Sequence, residues 1–201
     1  MGRRIFLLIL SSLILFSCHF APPDNVLNVE VSRARYTPGI DHSKHAEYNG
    51  KLMIFDSVEV SENPNITDFF YLNEDKTIAY TLAYSPSSMQ QPVASFFWYA
   101  MQKTFQSLGM NITEKGLLKN VPQLNLKVLS LTDQEAKFQI RLLRNGLLLM
   151  QKEVVVSQKL PPTKDETELE KRQYTYLDLM VDTILSDPDF KREFFSEKGN
   201  I

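Results

Sequence analysis

The sequence predicts an α+β fold, with a largely antiparallel sheet of about seven strands and two main helices packed on one face. Three observations predict it. Segments in which apolar and polar residues alternate, typical of half-buried strands, recur along the chain. Two longer segments repeat apolar residues at three- and four-residue spacing, as amphipathic helices do. Most of the strands are joined by short turns, which favour antiparallel hairpins.

Size and composition indicate a single globular domain. The chain has 201 residues, of which 43% are hydrophobic and 23% are charged, enough to build one core. The 22 basic and 24 acidic residues nearly cancel, so we expect no nucleic-acid partner. Three histidines, one cysteine and seven scattered glycines offer little for a metal site, a thiol site or a phosphate-binding loop, and we expect no cofactor.

The N-terminus has the pattern of a bacterial lipoprotein leader. Arg3 and Arg4 precede an apolar run over 5–16, which ends just before the single cysteine, Cys18. The run is about a dozen residues, whereas a membrane-spanning helix needs roughly 20. We predict that 1–17 is a signal peptide and that Cys18 is the lipid attachment site. The alternatives are an ordinary signal peptide with an incidental cysteine and an apolar N-terminal helix.

The segment 18–25 is predicted to be a lipidated tether. It contains Pro22-Pro23 and little that packs, and it reaches at most about 26 Å from Cys18 to Val26. Two or more acyl chains on Cys18 would anchor the protein to a membrane without spanning it. The predicted domain, at 26–195, is therefore held close to the membrane surface.

The first half of the domain is predicted to be mostly strands. Residues 26–33 alternate between apolar and polar, and 52–60 form a second strand. Between them, 36–50 contains Pro38, Gly39 and Gly50 and is expected to be an inserted loop. Residues 68–72 and 77–84 are predicted to pair as a hairpin.

Two helices are predicted in the second half. One spans 92–108, begins at a proline and ends before Gly109. The other begins at a capping box formed by Thr163 and Glu166 and continues to Ser186, followed by a short final turn.

Three more strands are predicted between these helices, at 124–128, 136–143 and 147–157. The turn 144–146, Arg-Asn-Gly, allows two registers for the last two strands. A two-residue turn would place Phe138 opposite Glu153 and break the apolar face.

A three-residue loop, with Gly146 in the left-handed conformation and a bulge at the loop, pairs Leu142 with Leu148 and Ala136 with Val154, and we predict this register. Lys152 would then lie opposite Phe138 as the single polar intruder. The predicted core face comprises Ala136, Phe138, Ile140, Leu142, Leu148, Met150, Val154 and Val156.

The same register turns three leucines away from the core. Leu143, Leu147 and Leu149 would lie on one outward face at the hairpin tip. Clustered exposed leucines are a candidate partner-binding surface. Alternatively, the loop 36–50 covers them.

No motif for catalysis or metal binding is found. Asp41, His42 and His45 have a spacing that suits a metal, but no cysteine or fourth ligand accompanies them, and we expect a solvated polar loop with no metal. Signatures such as G-x-S-x-G, S-x-x-K and G-x-G-x-x-G are also missing from the sequence. We therefore expect no catalytic residues and no enzyme activity.

The chain resembles the ABC-type transport auxiliary lipoproteins of Gram-negative envelopes. The resemblance covers most of 26–190. It is carried by the cysteine at the end of the leader, the strand ending at 81–86 (TLAYSP), the Pro-initiated helix 92–109, and the strands that begin at Leu124 and Phe138.

The resemblance implies a membrane-anchored, non-catalytic accessory component of an ABC-type transport system for lipids or other amphiphiles. Its partners would be envelope transporter subunits, with a lipid as ligand. The protein would face the periplasm, and His19 after the lipidated Cys18 indicates the outer membrane. The alternative is a structural or assembly lipoprotein that binds another envelope complex.

Overall fold

The computed structural model describes residues 21–85, 90–116 and 118–196; the leader and Cys18 lie outside them. Within these ranges there are eight strands, three α-helices and one 3₁₀ helix. No helix in these ranges is long and apolar enough to cross a membrane. In chain order the elements are β1 (Leu27–Ser32), the 3₁₀ helix (Ser43–Tyr48), β2 (Leu52–Val60), β3 (Phe70–Leu72), β4 (Ile78–Ala83), α1 (Val93–Ser107), β5 (Asn111–Thr113), β6 (Gln123–Leu131), β7 (Glu135–Arg144), β8 (Leu147–Ser157), α2 (Glu166–Ser186) and α3 (Pro188–Phe194).

The strands form two sheets. One has five strands in the order β5-β2-β6-β7-β8, and the other has three in the order β1-β4-β3. β1 runs parallel to β4, and β2 runs parallel to both β5 and β6. The α+β class is confirmed, but the single, largely antiparallel sheet of seven strands is wrong. Alternation along a strand shows which of its faces is buried and does not show which strand lies beside it.

The helices cover one face of the five-stranded sheet and join it to the smaller sheet. α1 packs against β2 and β5, α2 against β1 and β8, and α3 against β7 and β8. Buried side chains from both sheets and all three helices form one hydrophobic core. The end of α1 is as predicted, because Gly109 follows it with a φ of +78°.

The start of α2 differs from the predicted capping box. Asp165 is the N-cap, and its side chain accepts hydrogen bonds from the backbone N–H of Thr167 and Glu168. The Thr163 hydroxyl instead accepts from the N–H of Asp165, and Glu166 is the first helical residue. Asp165, one residue before the helix, supplies the side-chain acceptor that the first backbone N–H groups need. The predicted cap, Thr163, is therefore wrong by two residues.

The turn between β7 and β8 has two residues, and the predicted three-residue loop is wrong. Asn145 and Gly146 have φ values of +50° and +81°, as a type I′ turn requires. Arg144 therefore pairs directly with Leu147. The Asn-Gly dipeptide, which favours this turn, was the signal for it in the sequence.

A bulge then shifts the register of the hairpin. Leu143 pairs with Leu148, but Leu142 pairs with Met150, so Leu149 is an extra residue on β8. Neither of the two registers considered from the sequence includes this bulge. It keeps the apolar residues of β7 and β8 on the core face, so the predicted core is confirmed apart from Leu148. The confirmed members are Ala136, Phe138, Ile140, Leu142, Met150, Val154 and Val156.

Lys152, the polar residue on that face, lies opposite Ile140 and not opposite Phe138. Its ammonium group donates to Asp187 at 2.5 Å and to Asp189 at 3.1 Å. Asp187 also caps α3 by accepting from the N–H of Asp189 and Phe190. The lysine therefore ties β8 to the start of the last helix.

Candidate functional site

The hairpin tip exposes apolar side chains to solvent. Leu147 is 56% exposed and Leu148 is 45% exposed, while Leu143 and Leu149 are half-buried. We call these four residues the leucine tip. Leu148, placed in the core by the sequence, belongs to this surface because the two-residue turn pairs it with Leu143, which faces away from the core.

The three leucines predicted to share one outward face do not share it. Leu143 pairs with Leu148, and the next pair, Leu147 with Arg144, lies on the other side of the ribbon. Arg144 is buried toward α3, where its guanidinium donates to the carbonyl oxygens of Phe194 and Ser196. Leu147 is nevertheless exposed, because the hairpin extends past its neighbours at this end.

Further apolar side chains are exposed beside the leucine tip. Leu52 and Phe195 line a shallow pocket of about 310 Å³ with Arg144 and Asn120. Asn120 is held to the tip because its N–H donates to the Asn145 side chain at 2.9 Å. This end of the domain therefore presents a broader apolar surface than the sequence indicated.

The loop 36–50 does not cover the leucine tip. It packs on the helices, where Tyr36 donates to the Asp178 carboxylate at 2.6 Å, Lys44 pairs with Asp182, and Tyr48 donates to the carbonyl of Leu185. Of the two explanations for the leucines, coverage by this loop is therefore wrong. The loop forms a strap across α2.

The strap is more buried than a solvated polar loop. His45 is fully buried, and its Nε2 lies 2.7 Å from Asp182 Oδ1. Burial raises the pKa of Asp178. Burial also opposes ionisation of Asp182, but hydrogen bonds from Lys44 and His45 outweigh it and lower the pKa of that carboxyl. The expectation of a solvated loop is therefore wrong for its C-terminal half.

Two of the three candidate metal ligands in the strap, Asp41 and His45, already have hydrogen-bond partners. Asp41 accepts hydrogen bonds from the N–H and the hydroxyl of Ser43, and His45 is committed to Asp182. In the described ranges no group of three or more histidine, cysteine or acidic side chains is placed to hold a metal ion.

A second feature, not predicted from the sequence, is a groove of about 770 Å³ at the other end of the domain. We call it the tether groove, because Asn25, at the end of the predicted tether, lies on its wall. Its lining is Asn25, Leu27, Asn73, Asp75, Thr77, Ile78, Asp133, Gln134, Leu160, Pro161, Pro162, Thr163, Lys164, Leu169 and Arg172. These residues come from five separate segments, so sequence periodicity gave no signal that they meet.

The tether groove combines an apolar floor with charges of both signs. Leu27, Ile78 and Leu169 provide buried or half-buried apolar surface. Asp133 Oδ1 is buried and accepts no hydrogen bond from the described residues. Burial raises the pKa of Asp133 and outweighs the hydrogen bonds that its carboxyl accepts from the backbone N–H groups of Asp133 and Glu74; the nearby carboxylates of Asp75 and Glu74 raise it further.

The basic residues of the groove are Lys164 and Arg172. Arg172 donates to the carbonyl of Pro161 at 2.8 Å and pairs with Glu168 at 3.1 Å, so it holds the 158–165 segment against α2. The side chain of Lys164 is exposed and makes no such bond among those described. The groove wall therefore offers a fixed guanidinium and an exposed ammonium group.

The tether groove and the leucine tip lie at opposite ends of the five-stranded sheet. Asp133 and Gln134 form the turn before β7, and Asn145 and Gly146 form the turn after it. The ten residues of β7 separate these turns by about 30 Å. The chain therefore enters the domain at one end and exposes its leucines at the other.

Comparisons with known proteins show a shared fold. No family model matches the sequence, and no curated protein matches it. A crystal structure of a Xanthomonas campestris protein, described by the family model DUF330, has a TM-score of 0.51 at 9% identity, over 78% of this chain and 94% of that one. A second solved structure, of an uncharacterized protein, has a TM-score of 0.41 at 12% identity, over 79% and 99% of the two chains. The two-sheet α+β fold described above is thus one that a DUF330 protein also adopts.

Proposed function

We propose that this protein is a lipid-anchored component of the bacterial cell envelope that docks a partner through its leucine tip and performs no chemistry itself. The observation that carries the proposal is the placement of the two ends. The tether enters beside Asn25, about 30 Å from the tip. An anchor at Cys18 would hold the groove end near the membrane and leave the tip free to reach a partner.

Three features of the sequence support the anchored location. The leader has a basic start and an apolar run too short to span a membrane, and it is followed by the chain's single cysteine. The tether is short enough to hold the domain against the membrane surface. The fold shared with the DUF330 protein is compatible with this location and does not itself carry it.

The resemblance to the ABC-type transport auxiliary lipoproteins supports a transporter subunit as the partner. In this role the protein is an accessory component of a system that moves a lipid or another amphiphile. Leu147 and Leu148 are exposed apolar side chains that a transporter subunit would bury, and each leucine contributes about 1.5–3 kcal/mol when it is fully desolvated.

The test is co-purification from membranes of the native host. Wild-type protein solubilised in mild detergent is expected to retain a permease, an ATPase or a substrate-binding subunit, identified by mass spectrometry. A Leu147→Ser/Leu148→Ser variant is expected to lose it. Val155→Ser is the matched control, because Val155 is 52% exposed on β8 but lies away from the tip.

Two results would overturn the proposal. One is a wild-type protein that retains no transporter subunit, and the other is a tip variant that retains it as well as Val155→Ser does. Specific retention of a cell-wall enzyme or an outer-membrane barrel instead would support the structural or assembly role.

A further inference from the structure

We propose that the tether groove binds one zwitterionic aminophospholipid, of the phosphatidylethanolamine type, drawn from the membrane that holds the anchor. The inference rests on the proposed envelope location and adds a ligand to it. It concerns the end of the domain opposite to the leucine tip, so either proposal can be refuted without refuting the other.

The size and floor of the groove suit an acyl chain. Its volume of about 770 Å³ lies within the range of small-molecule cavities, roughly 300–1,000 Å³. Leu27, Ile78 and Leu169 form the floor, and Leu160, 38% exposed, stands at the rim. A hydrocarbon chain laid along these side chains would remove apolar surface of both partners from water.

The acidic wall suits the ammonium group of the ligand. Asp133 lies on the lining of the groove, and the residue is half-buried. Asp75 lies on the same lining, and its charge adds to that of Asp133. An ammonium group is the donor that best compensates two neighbouring carboxylates, through charge-assisted hydrogen bonds.

The opposite charge in the groove selects a zwitterion over a simple cation. Lys164 and Arg172 line the same cavity and would face the phosphate of the headgroup. Arg172 is already held by Pro161 and Glu168, so it presents a fixed charge, while Lys164 adjusts to the ligand. An anionic phospholipid would satisfy these cations but would place no cation beside the carboxylates of Asp75 and Asp133.

The position of the groove provides access to the membrane. Asn25 lies on its wall and is seven positions after Cys18, at most about 23 Å of extended chain. A groove at this distance from the acylated residue stays within reach of the headgroups. The acyl chains on Cys18 itself are the competing occupant, and the experiment distinguishes them.

The experiment uses the full-length lipoprotein with p-benzoylphenylalanine at position 160, reconstituted into vesicles of equal parts phosphatidylethanolamine and phosphatidylglycerol. After irradiation, mass spectrometry of the peptide is expected to show a phosphatidylethanolamine adduct, at least about tenfold more than with the photoreactive residue at position 147. Adding Asp133→Asn is expected to lower the adduct about tenfold, the effect of one lost charge-assisted hydrogen bond. Thermal unfolding checks that this variant is folded.

Three outcomes would overturn the inference: no adduct at position 160, equal adducts with both phospholipids, or a cross-link to the protein's own acyl chains. Flotation of the same sample with the vesicles reports the anchor separately. Protein that floats without an adduct refutes the groove and leaves the anchoring intact, whereas protein that does not float refutes the anchored location.

Discussion

Replacing Leu148 by serine tests the register of the β7–β8 hairpin directly. In the structure Leu148 is 45% exposed and pairs with Leu143, whereas Leu142 is fully buried and pairs with Met150. In the three-residue loop predicted from the sequence, Leu148 and Leu142 would face each other in the core. In the observed register, serine at position 142 should therefore destabilise the protein far more than serine at position 148. In the register predicted from the sequence, the two substitutions should destabilise it by similar amounts.

The magnitudes follow from burial. Leu142→Ser removes a fully buried side chain, which lowers the free energy of unfolding by about 2–5 kcal/mol. It also leaves a buried hydroxyl, which lowers it by about 1–3 kcal/mol more. For a chain of this size each kcal/mol lowers Tm by about 2–4 °C, so we expect a fall of about 6–32 °C. Only about half of the Leu148 side chain is buried, so Leu148→Ser should lower the free energy of unfolding by about 1 kcal/mol. We expect its Tm to fall by about 2–4 °C.

The assay is thermal unfolding of the protein in detergent micelles, followed by circular dichroism. Val155→Ser, another exposed position on β8, is the control and should resemble Leu148→Ser. Equal falls in Tm for Leu148→Ser and Leu142→Ser would refute the two-residue turn with its bulge. They would also remove Leu148 from the leucine tip.

Three further changes test other parts of the molecule. Gly146→Ala should lower the free energy of unfolding by about 1 kcal/mol in urea titrations, because the turn needs a positive φ there and a methyl group would meet no other atom. Asp182→Asn should destabilise the protein at neutral pH but hardly at about pH 2. The lowered pKa of Asp182 means that its contribution, made through Lys44 and His45, is lost as the pH falls through that value; urea titrations at both pH values measure it. Cys18→Ser should abolish palmitate labelling and shift the protein out of the detergent phase on Triton X-114 partitioning, whereas unlabelled wild-type protein in the aqueous phase of its native host would contradict the anchor.

Elements whose partners lie nearby in the sequence were predictable. Every third or fourth residue of 93–107 is apolar, and that face of α1 is buried. The even-numbered residues of β7 face the core, as alternation predicted. In these cases the periodicity of the chain and the burial of side chains are set by the same local geometry.

Features that depend on distant segments were not predictable. Nothing in 27–32 indicates a parallel partner at 78–83, although the continuous burial of β4 is typical of a strand covered on both faces. The bulge at Leu149 was missed because two registers differing by two residues bury the same faces. The tether groove was missed because its walls come from segments as far apart as Asn25 and Arg172.

The parallel pairing of β1 with β4 has a mechanical consequence. β1 is the first strand after the tether, and six of its residues pair with β4. If the protein is held by lipid at one end and by a partner at the other, tension on the tether pulls along the axis of β1. The hydrogen bonds between β1 and β4 are then loaded together in shear and do not open one at a time from an end. A domain anchored and docked in this way would carry force between the membrane and the partner without losing its first strand.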